Sequence, residues 1–136
     1  MPFYPGQGRA TLTNAGQQVY IFGGSGQQAT SPERIGTTAG VASIAYMLER
    51  QKAAFYPWGF AFEIWFTGAP GTFEVDIQGA ELDIDTHYNN IGTAISTVNS
   101  NNVGRFDSGV TVWPKFVRLF VKTLTNDVSI TAVLTR

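Results

Sequence analysis

The sequence predicts an all-β fold, a sandwich or barrel of short strands, and three observations carry that expectation. Apolar residues recur at every second position in several runs. Turn residues separate those runs at short spacing. Nothing between them is long enough to suggest a second domain. The 136 residues suit one domain, and a composition that is 43% hydrophobic with 10 Phe can fill a core.

The organising stretch is Gly59 to Gln78, GFAFEIWFTGAPGTFEVDIQ. Phe60, Phe62, Ile64 and Phe66 alternate with Ala61, Glu63 and Trp65. Phe73, Val75 and Ile77 alternate with Glu74, Asp76 and Gln78. A period of two marks a half-buried strand. Between the runs lies Thr67-Gly68-Ala69-Pro70-Gly71-Thr72, where Gly supplies positive φ and Pro presets φ. The expectation is a β-hairpin with one apolar and one acidic face.

The other elements follow in chain order. Residues 1–40 hold eight of the 15 Gly and only three charges, Arg9, Glu33 and Arg34. One short run, Gln18 to Phe22, fits a strand, and the remainder reads as extended chain without period. A mobile tail is one reading. An arm that orders on a partner is the other, and Phe3, Tyr4, Val19, Tyr20, Ile21 and Phe22 favour it, because disordered tails are poor in aromatics. Val41 to Ala54 fits both a helical stripe and an alternation, and the β surroundings favour a strand over Ser43 to Leu48. Leu82 and Ile84 alternate with Glu81, Asp83 and Asp85. Strands are further expected over Thr93 to Val98, Val103 to Phe106 and Val110 to Val112. Val117, Leu119 and Val121 then oppose Phe116, Arg118, Phe120 and Lys122. After the turn at Leu124-Thr125-Asn126-Asp127, Val128, Ile130, Ala132 and Leu134 alternate with Ser129, Thr131, Val133 and Thr135.

Composition narrows the function. Charged residues make up 14%, against about 25% in an ordinary domain. Few charges with many aromatics suggest a surface covered by other copies or by a larger assembly. The net charge of −1 provides no field for nucleic acid or an anionic membrane. There is no Cys, hence no disulfide frame and no thiolate metal site. The opening MPFYPGQGRA has neither the charged nor the apolar region of a signal peptide, and no run reaches the roughly 20 apolar residues of a membrane span.

Candidate chemistry is thin. Gly24-Ser25-Gly26-Gln27-Gln28-Ala29 matches a dinucleotide fingerprint, but Ser31-Pro32 opposes the helix that must follow. Asp83-Ile84-Asp85 opens like a calcium loop, yet Tyr88 and Ala94 stand where Gly and Glu are required. A non-EF calcium site of Asp76, Asp83 and Asp85 competes with a solvated or partner-facing acidic strand. His87, the single histidine, has no nucleophile signature beside it. Glu63, Glu74 and Asp76 alternate like a polar strand face rather than a glycosidase pair. Trp58, Trp65 and Trp113 could stack sugars, although such aromatics more often serve a core or an interface. No cofactor is expected, and the chain is not expected to be an enzyme.

PWGFAFEIWFTGAPGTFEVDIQ, together with the ending KFVRLFVKTLTNDVSITAVLTR, resembles small β-rich virion proteins of tailed bacteriophages, among them capsid decoration or cement proteins. The resemblance spans roughly Tyr56 to Arg136. It implies a jelly-roll-like form for the single-domain antiparallel β-sandwich expected over residues 41–136, which the Gly/Gln-rich extended arm of residues 1–40 precedes. It implies a non-enzymatic structural role in the virion, with the major capsid protein or another virion protein as partner and a homo-oligomer, a trimer in particular. No nucleic acid or membrane partner is expected. A carbohydrate-binding module, or a tail or head-tail component, is the alternative.

Charge layout supplies candidate contacts. Six acids and no Lys or Arg lie between Ala53 and Gly104, whereas five bases and two acids follow from Arg105. The acidic strands either pair with Arg118 and Lys122 inside the domain, or meet the basic end of another copy or of a capsid protein. Phe3, Tyr4, Trp65, Arg118 and Lys122 are the expected interface residues.

Overall fold

The computed structural model describes residues 18–37, 40–47, 60–98, 103–107 and 114–135. Thirteen strands are described: β1 (Gln18–Phe22), β2 (Gly24–Ser25), β3 (Gln28–Ala29), β4 (Glu33–Arg34), β5 (Val41–Ala42), β6 (Tyr46–Met47), β7 (Ala61–Phe66), β8 (Thr72–Ala80), β9 (Asn89–Asn90), β10 (Ile95–Val98), β11 (Val103–Asp107), β12 (Phe116–Leu124) and β13 (Ser129–Thr135). One 3₁₀ turn spans Asp85–His87.

Two antiparallel sheets form an all-β sandwich. Sheet A runs β1-β13-β7-β11, with β4 beside β13. Sheet B runs β10-β8-β12-β5, with β6 beside β12 and β9 beside β8. Strands β2 and β3 form a small separate hairpin. With β5 and β6 counted as one, the eight sandwich strands numbered along the chain read 1-8-3-6 in sheet A and 2-7-4-5 in sheet B.

Alternation sets the inward faces. Phe62 and Ile64 of β7, and Ile130, Ala132 and Leu134 of β13, enter one cluster with Phe73, Val75 and Ile77 of β8 and Val117, Leu119 and Val121 of β12. Each large side chain so buried contributes roughly 1.5–3 kcal/mol relative to exposure.

The expected hairpin at the organising stretch is not formed: β7 lies in sheet A and β8 in sheet B. The turn 67–71 is an arch that carries the chain across the core. Alternation fixes which side chains face inward, and it does so equally for a hairpin and for an arch. The core decides between them: Phe66 and Phe73 meet edge to face across the turn, with ring centroids 4.9 Å apart. A second arch joins β12 to β13 and stacks on the first. Asn126 N–H donates to Pro70 O (3.1 Å), Asn126 Nδ2 to Ala69 O (3.0 Å) and Thr72 N–H to Thr125 Oγ1 (2.8 Å). Gly71 has φ +68°, and a Cβ there would run into Thr125 Oγ1.

Four further expectations change. The sandwich already includes Gln18, since β1 pairs with β13 and buries Val19, Ile21 and Phe22, so residues 18–34 of the expected arm supply strands. The Gly-rich surroundings dilute the pattern of so short a strand. Residues 1–17 lie outside the described residues. Leu82 and Ile84 are not in a strand; the chain bends at residues 81–83 and enters the 3₁₀ turn, and both side chains are exposed. Two apolar residues carry too little period to distinguish an exposed bend from a strand. The strand expected over Ser43 to Leu48 is interrupted: β5 and β6 both pair with β12, and Ser43 intervenes. Its Oγ accepts from Leu119 N–H (2.9 Å) and donates to Ile44 O (2.9 Å), a side-chain substitute for ladder bonds. Thr93 to Val98 shortens to Ile95–Val98, and Val103–Asp107 forms as a strand. Val110 to Val112 and residues 48–54 lie outside the described residues.

Candidate functional site

The outward face of sheet B carries a connected set of polar side chains. Along β12, Arg118, Phe120 and Lys122 share that face, and register sets Arg118 opposite Gln78 and Phe120 opposite Asp76. Lys122 Nζ donates to Glu74 Oε1 at 2.9 Å and stands 3.9 Å from Asp76 Oδ1. The hydrogen bond to Glu74, followed by the charges of Asp76 and Glu74, holds the Lys122 ammonium above the usual lysine range. Asp76 is 6% exposed and accepts from Asn90 Nδ2 (3.1 Å); Asn90 Oδ1 accepts from Gln78 Nε2 (3.1 Å).

Arg118 is 7% exposed. Its guanidinium lies 3.8 Å from the Tyr88 ring centroid, donates from Nε to Gln78 Oε1 (2.9 Å) and from Nη1 to Asp85 Oδ1 (2.7 Å). This cation–π stack with two charge-assisted bonds pins the 81–91 loop against the sheet. Tyr88 OH donates to Asp83 Oδ1 (2.6 Å), closing the loop on itself. Under the loop, Ala45, Ala80, Tyr88 and Phe116 form a small second apolar cluster beside Met47. Leu82 (52% exposed) and Ile84 (44%) project from the pinned loop; among the described residues they are the exposed large hydrophobics.

Trp65 lies on the other side of the sandwich. It is half-buried on the outward face of sheet A, with Thr131 and Val103 as register neighbours. Glu63 shares that face, opposite buried Val133 and the register position of Arg105.

The structure therefore separates the expected contact residues. Arg118 pairs within the subunit, with its guanidinium sequestered between Tyr88, Gln78 and Asp85. Lys122 is exposed but pairs with Glu74 of its own sheet. Trp65 occupies the opposite face, and Phe3 and Tyr4 lie outside the described residues, as do Trp58 and Trp113. The residues weighed for chemistry are also dispersed or committed. Glu63 is in sheet A, whereas Glu74 and Asp76 are in sheet B. Asp76, Asp83 and Asp85 each contact a different partner, and among the described residues no three His, Cys, Asp or Glu are grouped to hold a metal ion. Gly24 to Ala29 makes the β2–β3 hairpin, and Gly26 N–H donates to Tyr46 Oη (2.7 Å). Sequence reasoning missed the Tyr88–Arg118 stack. The two residues come from distant elements, and no local spacing joins them. No family model, no curated protein and no solved structure matches the chain.

Proposed function

We propose that this chain is a non-enzymatic structural protein of a bacteriophage particle, decorating or cementing the capsid surface through self-association and contacts with the major capsid protein or another virion protein. The observation that carries this reading is the strand order. Facing orders 1-8-3-6 and 2-7-4-5 agree with two interlocked Greek keys and so support a jelly-roll-like reading. That architecture serves viral capsid and lectin domains. The engagement of the described acids with neighbouring side chains supports a binding role over a catalytic one. The proposed location is the virion, and the proposed oligomer a trimer. Banded particles from a host carrying the encoding genome should contain the chain at a copy number commensurate with the capsid lattice. Its absence from banded particles, with the chain left in the soluble fraction, overturns the reading. Detection at only a few copies per particle favours a tail or head-tail position.

A carbohydrate-binding role is the second reading, and one surface favours it. Half-buried Phe120 shares the outward face of sheet B with Arg118 and Lys122 and stands opposite Asp76 in register. An aromatic face with planar polar neighbours suits a sugar ring. Binding on a glycan array that Phe120→Ala abolishes supports this second reading over the first.

A further inference from the structure

We infer that the Leu82–Ile84 loop is the docking site for the N-terminal segment, residues 1–16, of a neighbouring copy of the chain. The inference rests on the self-association part of the proposed function and names its contact.

The loop is built to present these two side chains. Leaving large aliphatic groups in water forgoes the stabilisation of burying them. Here they stand on a loop fastened by the Arg118–Tyr88 stack, the Arg118–Asp85 ion pair and the Tyr88–Asp83 bond. Two backbone bonds tighten it further: Ile84 N–H to Leu82 O and His87 N–H to Ile84 O, both 2.8 Å. A loop already fastened has little backbone freedom left to lose when its two aliphatic groups are covered, which suits an anchor.

Topology brings the segment to the same end of the sandwich. The two arches lie at one end, and β8 runs away from them to Ala80, two residues before Leu82. Strand β13 runs the same way to Thr135, which pairs with Gln18, the first residue of β1. Residues 1–17 therefore join the sandwich at the end that carries the loop. They join it at the edge of sheet A, across the core from the sheet-B face that the loop covers. Seventeen residues reach up to about 60 Å when extended. A folded domain of this length has a radius of gyration of only about 14 Å. The segment has the reach to meet a second molecule.

Chemistry matches as well. Phe3 and Tyr4 offer aromatic surface to Leu82 and Ile84, and the flanking Pro2 and Pro5 have fixed φ, which leaves less freedom to lose on docking. The one charged side chain among residues 1–17 is Arg9, and Glu81, Asp83 and Asp85 flank the aliphatic pair. The Asp85 side chain is 92% exposed even while it accepts from Arg118.

Two full-length variants test the pairing: Phe3→Ala/Tyr4→Ala, with the loop intact, and Leu82→Ser/Ile84→Ser, with the segment intact. Sedimentation equilibrium of the wild type should give a mass that rises with concentration above that of one chain. Each variant alone should stay at one chain mass, with an unchanged melting temperature. Mixed in equal amounts, the two should form a 1:1 pair, since one intact segment then meets one intact loop. A mixture that stays at one chain mass overturns the inference, as does self-association of either variant at wild-type strength. A wild type that is monomeric at every concentration also overturns it, while incorporation into particles would still stand as the separate measure of the proposed function.

Discussion

At the scale of single residues, burial decides which substitutions matter. Phe62 has no exposed surface and faces both sheets, so Phe62→Ala should cost about 3–5 kcal/mol. Glu74→Ala, on the outward side of the neighbouring sheet, should leave the denaturation midpoint nearly unchanged. Equal midpoints for the two would contradict the assigned facing. Arg118 and Lys122 stand four residues apart on one strand and should behave differently. Arg118→Ala leaves Gln78 and Asp85 without their donor and Tyr88 without its stacking partner, a loss of about 1–3 kcal/mol. Amide exchange over residues 81–91 should rise with it. Lys122→Ala should barely move stability, since its pair with Glu74 is exposed. Similar exchange in the two variants would mean that Arg118 does not fasten the loop. Arg34 joins β4 to the β12–β13 arch through Asp127. The hydrogen bond from Arg34 holds the Asp127 carboxyl below the usual carboxylate range. A carboxylate whose pKa is depressed on folding stabilises above its unfolded value, and that contribution is lost as pH falls through the folded value. Melting curves of wild type and Asp127→Asn should therefore differ slightly at neutral pH and converge in acid. A gap that persists through acid pH would rule out the ion pair as its cause.

Elements depend on how their ends are joined. The β7–β8 arch needs Gly71, both for its positive φ and for the closeness of Thr125. Gly71→Ala should destabilise by at least about 1–2 kcal/mol, the cost of a left-handed backbone for an L-residue. Relief of the Thr125 Oγ1 contact in the double variant Gly71→Ala/Thr125→Ala, measured against Thr125→Ala alone, should recover none of that backbone cost; a full recovery by urea denaturation would assign the effect to sterics alone. The inward faces of β7, β8, β12 and β13 were legible in the sequence because Phe62, Val75, Leu119 and Ile130 each sit in a strict alternation. The pairing of those strands was not legible. Gly and Pro at 68–71 announce a reversal, and whether a reversal stays in one sheet or crosses to the other depends on partners far along the chain. The Arg118–Asp85 pairing was legible only as a general option for acidic and basic strands. Its particular form depends on Tyr88, which a bend, rather than the expected strand, carries onto the sheet. Ser43 hid its role for a similar reason: a hydroxyl that replaces ladder bonds leaves no periodic trace.

For the whole molecule, the segment before β1 can be tested apart from the sandwich. Deleting residues 1–16 should leave a cooperative melting transition, because the core cluster draws on Val19 and residues beyond it. The same deletion should weaken assembly. Raised salt should slow wild-type association while hardly altering the melting temperature, since exposed charges are screened beyond about 8 Å at physiological ionic strength. Full assembly by the truncated chain would refute this. The strand order also has a consequence for how the fold is reached. In sheet A the centre is held by β13, which lies between β1 and β7 although it comes last among the described strands. Neither neighbour can complete its ladder until residues 129–135 have left the ribosome, and loops of such length close slowly. Until then β1 lacks its main ladder partner and β7 can pair only with β11, so part of the apolar surface stays uncovered until the final described strand emerges, which makes the nascent chain a natural client for chaperones that bind exposed hydrophobic strands.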